Sequence, residues 1–286
     1  MHNSRLSICL ILSVVLLVGC SHRGTVPKAG LNAQVAETSG LACVDNQLWT
    51  LNDSGNAAAI YPLSPQGDVG PALRLPLNNV DWEAITAYGN TVFIGDIGNN
   101  SGQREQIMIH RMQLHGGRAE QLQSFTLQYP NKPTGGLTPY AHDFDAEALV
   151  ALDAQTLLLF SKSWGSGISH VYKIKLGTSN NTSIRWIADI EGLPGLVTDA
   201  TRIDGSDDIQ VVGYINYRTN LLQFMLNQQF AAFTARISKD FTVLHTEQLT
   251  HQGQVEAISS CQHKFWFSAE QYQQQPAQLW TQSVQN

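Results

Sequence analysis

A chain of 286 residues with a formal net charge of −6 and only 14% charged side chains carries no basic cluster, so the concentrated Lys/Arg surface that a nucleic-acid backbone requires is missing. The sequence likewise holds no Gly-x-Ser-x-Gly elbow, no His-Glu-x-x-His zinc motif and no phosphate-cradling Gly-rich loop before a helix. Gln, Asn, Ser and Thr are plentiful, which suits a β-rich protein with solvated polar faces, and the length allows one large domain with a real core.

The first element is an apolar run from Leu6 to Val18 behind one firm positive charge, Arg5. It is too short to span a bilayer comfortably, which takes about 20 apolar residues. The run ends in Leu17-Val18-Gly19-Cys20, which resembles the lipobox of bacterial lipoproteins, where small residues precede the cut and the cysteine thiol takes a diacylglycerol. The expectation is a signal peptide over 1–19, lipidation at Cys20 and attachment to the membrane through that lipid; the competing reading is an ordinary signal peptide with an incidental cysteine. Ser21 stands where an aspartate would favour inner-membrane retention, so the outer membrane is the expected location. Residues 20–33 carry Gly, Pro, Lys and Ser without an apolar period and read as a flexible tether, leaving 34–286 as a single folded domain.

From Leu31 onward, apolar stretches of about five residues alternate with Gly, Asn, Asp and Pro turns, the pattern of strands. Only Tyr217 to Phe230 suggests a helix. One phrase recurs: an oxygen-bearing residue, a small or acidic one, then an apolar one. Its instances are Ser39-Gly40-Leu41, Glu83-Ala84-Ile85, Glu147-Ala148-Leu149, Thr198-Asp199-Ala200 and Glu256-Ala257-Ile258, spaced by about 45 to 65 residues. A strongly apolar strand follows each: Leu48 to Leu51, Val92 to Gly95, Leu157 to Phe160, Ile209 to Val212 and Phe265 to Phe267. Further runs, such as Ile107 to Leu114 and Ser124 to Tyr129, bring most units to four strands. Four strands per repeat at this period predict an all-β, five-bladed β-propeller, with six blades as the alternative. The last unit lacks room for a fourth strand, and Leu31 to Ala36 is expected to close the ring in its place.

Cys9 is lost with the signal and Cys20 takes the lipid, so Cys43 and Cys261 remain in the folded part. They lie four and five residues beyond Ser39 and Glu256, on the innermost strands of the first and last blades, which a closed ring makes neighbours. Side chains alternate between the faces of a strand, so the one-residue offset lets the two thiols point at each other. A disulfide is expected in the oxidising envelope.

The innermost strands of a propeller run beside its channel, which places Ser39, Glu83, Glu147, Thr198 and Glu256 in a ring around the axis. Three crowded carboxylates repel unless neutralised, and an all-oxygen set suits Ca²⁺ better than nitrogen- or sulfur-seeking metals; carboxylates capping strand ends, or a channel that holds only water, are the competing readings. The phrases resemble those of the calcium-activated nucleotidases, five-bladed apyrases in which a Ser, a Glu, a Glu, a Ser and a Glu hold an axial calcium; here Thr198 stands for the second serine. Their Asp-Asp-Arg-Thr-Gly run is similar to Asn52-Asp53-Ser54-Gly55 without the arginine, and Ser161-Lys162-Ser163 stands where phosphate-clamping arginines are expected. A closer resemblance is to uncharacterised bacterial secreted propellers, carried by Asp81-Trp82-Glu83-Ala84-Ile85, Gly95-Asp96-Ile97-Gly98-Asn99-Asn100, Asp145-Ala146-Glu147-Ala148-Leu149 and Gln254-Val255-Glu256-Ala257-Ile258. It implies the fold and the cation site rather than an activity.

The ends of the second strands are expected to rim a funnel above the ion, with Asp53, Asp96, Lys162, Tyr214 and Glu270 as candidate catalytic groups. Solvated turn residues are the plainer reading of the same positions. Trp49, Trp82, Trp266 and His142 read as packing or structural residues. Three functions follow: a lipid-anchored, Ca²⁺-bound module for an unknown small-molecule or protein ligand; a metal-dependent hydrolase of phosphate or carboxylic esters, akin to a nucleotidase, phytase or lactonase; or a purely structural lipoprotein of an envelope assembly.

Overall fold

The computed structural model describes residues 29–177, 182–215 and 231–282. The expected signal peptide, the expected lipidation site Cys20, most of the expected tether and the stretch from Tyr217 to Phe230 lie outside the described residues. Within them, the strands form five antiparallel sheets of four strands each. Blade one is Thr38–Val44, Gln47–Asn52, Ala59–Leu63 and Leu73–Arg74. Blade two is Trp82–Tyr88, Thr91–Asp96, Ile107–His115 and Arg118–Leu127. Blade three is Ala146–Ala151, Thr156–Ser161, Ser169–Lys175 and Ser183–Ile190. Blade four is Leu196–Arg202, Ile209–Tyr214, Ala231–Ile237 and Val243–Gln252. Blade five is Val255–Cys261, Lys264–Ala269 and Gln278–Gln282, completed from the other end of the chain by Ala29–Gly30.

The first strand of each blade packs against that of the next, and the first strand of blade five packs against that of blade one. The fold is therefore an all-β five-bladed β-propeller, and the six-blade alternative falls away. Tight hairpins join inner to second strands where the residues allow it: Asp45-Asn46 and Gln262-His263 both have positive φ, as a two-residue turn matching the strand twist requires. The polar stretch after blade five's second strand turns back through the Tyr272–Gln275 bridge.

Each hydrophobic cluster joins two neighbouring blades, so the core is a set of seams rather than a central mass. Phe93 and Ile109 meet Leu149 and Leu159 between blades two and three, and Trp49 and Leu51 meet Ile85 and Ile94 between one and two. Trp49, Trp82 and Trp266 are buried in these seams, as expected of packing residues.

Ring closure differs from the expectation in its register. The closing strand is Ala29–Gly30, paired with Leu279 and Gln278, and it lies within the stretch read as tether. Leu31 extends it by one backbone bond to the Ala277 carbonyl, 2.7 Å, and the chain then enters a 3-10 turn over Ala33–Val35. Ala29 and Gly30 are held by backbone bonding, which leaves no apolar period for the sequence to display. The apolar signal at Leu31 and Val35 instead marks side chains buried in the seam between blades five and one. In blade two the outer strand begins at Arg118, ahead of the Ser124 start that apolarity indicates, because its exposed half is polar.

Cys43 and Cys261 form the disulfide across that same seam, with 5.5 Å between their Cα atoms.

Candidate functional site

Every innermost strand carries one register shift against its second strand, and the shift falls in the same place in all five. Pairing skips from Thr38 to Gly40, Trp82 to Ala84, Ala146 to Ala148, Val197 to Asp199 and Val255 to Ala257. The skipped residues are Ser39, Glu83, Glu147, Thr198 and Glu256. A β-bulge leaves its extra residue unpaired and re-aims its side chain, so the five phrase residues are the five bulges. They are buried at the channel, the glutamates 5%, 6% and 6% exposed.

The ring is partly knitted together. Ser39 Oγ donates to Glu83 Oε2 at 3.2 Å, and Thr198 Oγ1 donates to the Val255 carbonyl at 2.7 Å. Gln254 Nε2 reaches Glu256 Oε1 at 3.4 Å, and Glu256 Oε2 is buried with no partner. Burial, and then the nearby Glu147, push the Glu83 carboxyl well above the usual range. Burial raises Glu256 too, against the pull of Lys162.

Lys162 enters the ring from blade three. Its Nζ lies 2.9 Å from Glu147 Oε1 and about 5 Å above the rings of Trp164 and Tyr214. Burial alone would lower its pKa, but the surrounding carboxylates, Glu147 first, outweigh it and hold the ammonium form. Of the other rim candidates, Asp53 and Glu270 keep the expected position. The N–H groups of Asp53, Lys162 and Glu270 bond the carbonyls of Glu37, Asp145 and Gln254, two residues before each ring residue. Burial, followed by Glu256 and Asp53, raises Glu270 to about 8. Tyr214 is buried beside Lys162.

Asp96 is one residue out of step. The position equivalent to Asp53 in blade two is Ile97, whose N–H bonds the Asp81 carbonyl, and Ile97 is packed in a seam. The Asp96 carboxylate turns to Arg104, 2.6 Å away, and to the N–H groups of Val80 and Asp81. Arg104 also donates to the Gly98 carbonyl at 2.7 Å. The pair thus holds the loop that brings Gly98 against the ring.

Two acids that the phrases contain but the expected site omits stand at the mouth. Asp145 accepts from Trp164 Nε1 at 2.7 Å and from the Asn99 N–H at 2.6 Å, a structural role. Asp81 stays open. Burial, then Asp53, lifts its pKa to about 6. Asp53, Asp81 and Glu83 form a group in which one oxygen from each lies within 4.8 Å of the other two, the one such group of three metal-ligating side chains among the described residues. The signal was legible: the position two before the ring residue is Glu37, Asp81, Asp145, Leu196 or Gln254, polar in four blades.

Below the ring, the next inner-strand residue is Gly40, Ala84, Ala148 or Ala257 in four blades and Asp199 in the fourth. Its buried carboxylate accepts the N–H groups of Ile258 and Ala200, both at 2.8 Å, and that of Leu41. One side chain therefore ties blade four to blades five and one. Asp199→Ala strands buried donors and is expected to lower stability by about 3 kcal/mol in urea denaturation.

The His142 Nδ1 accepts the Phe144 N–H at 3.1 Å, and its Nε2 is buried with no partner among the described residues.

No protein-family model matches the chain, and no curated protein matches it. Among solved structures it is similar to one titled "Structure of YjhT", at 12% identity over 90% of this chain and 96% of that one, with a TM-score of 0.43. So distant a likeness says nothing about activity, and the propeller stands on its own strand order.

Proposed function

We propose that the protein is a lipid-anchored envelope β-propeller whose acidic channel mouth holds a divalent cation and which binds a small-molecule or protein ligand at the funnel above it. The observation that carries this reading is the set of five bulges, each turning one oxygen-bearing side chain to the channel. Three buried glutamates stand there with one ammonium, which is paired with Glu147, and the excess of negative charge is one that a dication would neutralise. All-oxygen donors make Ca²⁺ the fitting ion. The lipobox-like Leu17 to Cys20 supports the anchor and the outer-membrane location.

Binding is favoured over turnover by the fate of the rim residues. Asp96 is paired away from the funnel, Lys162 is engaged by Glu147, and Tyr214 is buried. The hydrolase reading keeps Asp53 and Glu270, since a carboxyl raised to about 8 is placed for general acid or base work. Ion-dependent turnover in a panel of phosphoesters and lactones would put the hydrolase first.

Melting curves test the cation. Asp81 and Glu270, raised to about 6 and about 8, bind protons more tightly folded than unfolded. Their contribution is fully present below the unfolded carboxyl range, near pH 4, and is lost as pH rises through 6 and 8. In EDTA the melting temperature should therefore fall from pH 5 to pH 8.5. Calcium takes the place of those protons and should raise melting most at pH 8.5. At 100-fold excess over its Kd the gain is about 2.7 kcal/mol, or about 5–10 °C. Melting that no divalent ion moves would remove the cation.

A further inference from the structure

The five ring positions are equivalent in the backbone, but the charges around them are not. On one side Lys162 pairs with Glu147 and lies against Tyr214 of blade four, with Glu256 and also Asp53 within its electrostatic reach, so its one ion pair is spent on the blade-three side of the mouth. On the other side stand Asp53 of blade one and Asp81 and Glu83 of blade two, and among the described residues none of these makes an ion pair.

That second corner is built as a site. Glu83 is 95% buried on its 5% exposure; its Oε2 takes the Ser39 hydroxyl, while Oε1 accepts no hydrogen bond from any described residue. Gly98 presses its backbone against the same oxygens: a Cβ there would sit 2.4 Å from Glu83 Oε1 and 2.5 Å from Asp81 Oδ2. The Gly98 N–H bonds the Asp81 carbonyl at 3.2 Å and so satisfies neither carboxylate. Two oxygens bound to one Ca²⁺ at 2.3–2.6 Å lie no more than about 5 Å apart. Asp53, Asp81 and Glu83 fall inside that span, 4.8 Å, and the three ring glutamates do not form such a group among the described residues.

We propose that the mouth is divided: Lys162 acts as a tethered cation for the Glu147 and Glu256 side, and the divalent ion sits off the axis on Asp53, Asp81 and Glu83. The inference rests on the cation reading above and names the ligands within it. Counting only Glu147 and Glu256 against Lys162, and Asp53, Asp81 and Glu83 against the dication, each set is one charge short of neutral, where an ion on the axis would have to share the glutamates with an ammonium already in place.

Calcium titration calorimetry on the full folded domain, stripped with EDTA and desalted, tests this with Asp81→Asn, Asp53→Asn and Glu256→Gln. Asp81→Asn and Asp53→Asn should each weaken Ca²⁺ binding at least about tenfold, and Glu256→Gln less than about threefold. Because Asn removes a repelling charge, both Asp variants should melt no lower than the parent in EDTA, which separates lost ligation from lost folding. Glu256→Gln losing as much affinity as Asp81→Asn puts the ion on the axis and overturns the proposal, as does full affinity in both Asp variants; either outcome leaves the cation reading standing. A parent protein that takes up no Ca²⁺ defeats both.

Discussion

Replacing both Cys43 and Cys261 by alanine is expected to lower the stability of the domain by about 5 kcal/mol and its melting temperature by about 10–20 °C. The bridge spans a sequence separation of 218, and the chain-entropy gain grows with the logarithm of the loop it closes. The rest of the closure is slight. A two-residue strand, Ala29–Gly30, pairs with Leu279 and Gln278, one further backbone bond links Leu31 to Ala277, and the seam core of Leu41, Leu48, Trp266 and Leu279 supplies the remainder. Melting the oxidised protein beside the double variant checks the figure. A difference under about 2 °C, or less than ~1 kcal/mol, would assign closure to the seam core and strand instead.

Lys162→Met is expected to cost about 3–5 kcal/mol in EDTA at pH 8, a fall of roughly 10 °C, because it leaves Glu147 buried without its cation. Glu147 is 6% exposed and Lys162 Nζ is its ion-pair partner at 2.9 Å. Deprived of that partner, the carboxyl binds a proton more tightly in the folded protein than in the unfolded one. The loss should therefore shrink toward pH 5, where the proton stays on, and grow with rising pH. Methionine keeps much of the apolar stem against Trp164 and Tyr214, so a packing defect alone would give a loss independent of pH. A pH-independent loss would mean that the charge of Lys162 does not matter to the ring.

The sequence by itself determined the propeller, the five ring residues and the disulfide. These features are written in side-chain periodicity: an apolar second strand follows each phrase, and the cysteine offset carries the alternation of faces. It also marked Asp53, Lys162 and Glu270 at equivalent strand ends. Only the tertiary structure decided where backbone bonding or charge proximity governs. Ala29–Gly30 closes the ring through N–H and carbonyl groups, which any residue supplies, so nothing in the side chains announced it. Asp96 lies one residue short of Asp53's equivalent; a strand reverses facing at every step, and so its carboxylate went to Arg104 while Asp81 stayed at the mouth. The phrases make the ring look symmetrical. Lys162, reaching across from a single blade, is what makes its electrostatics lopsided, because charges act through space between residues the chain keeps far apart.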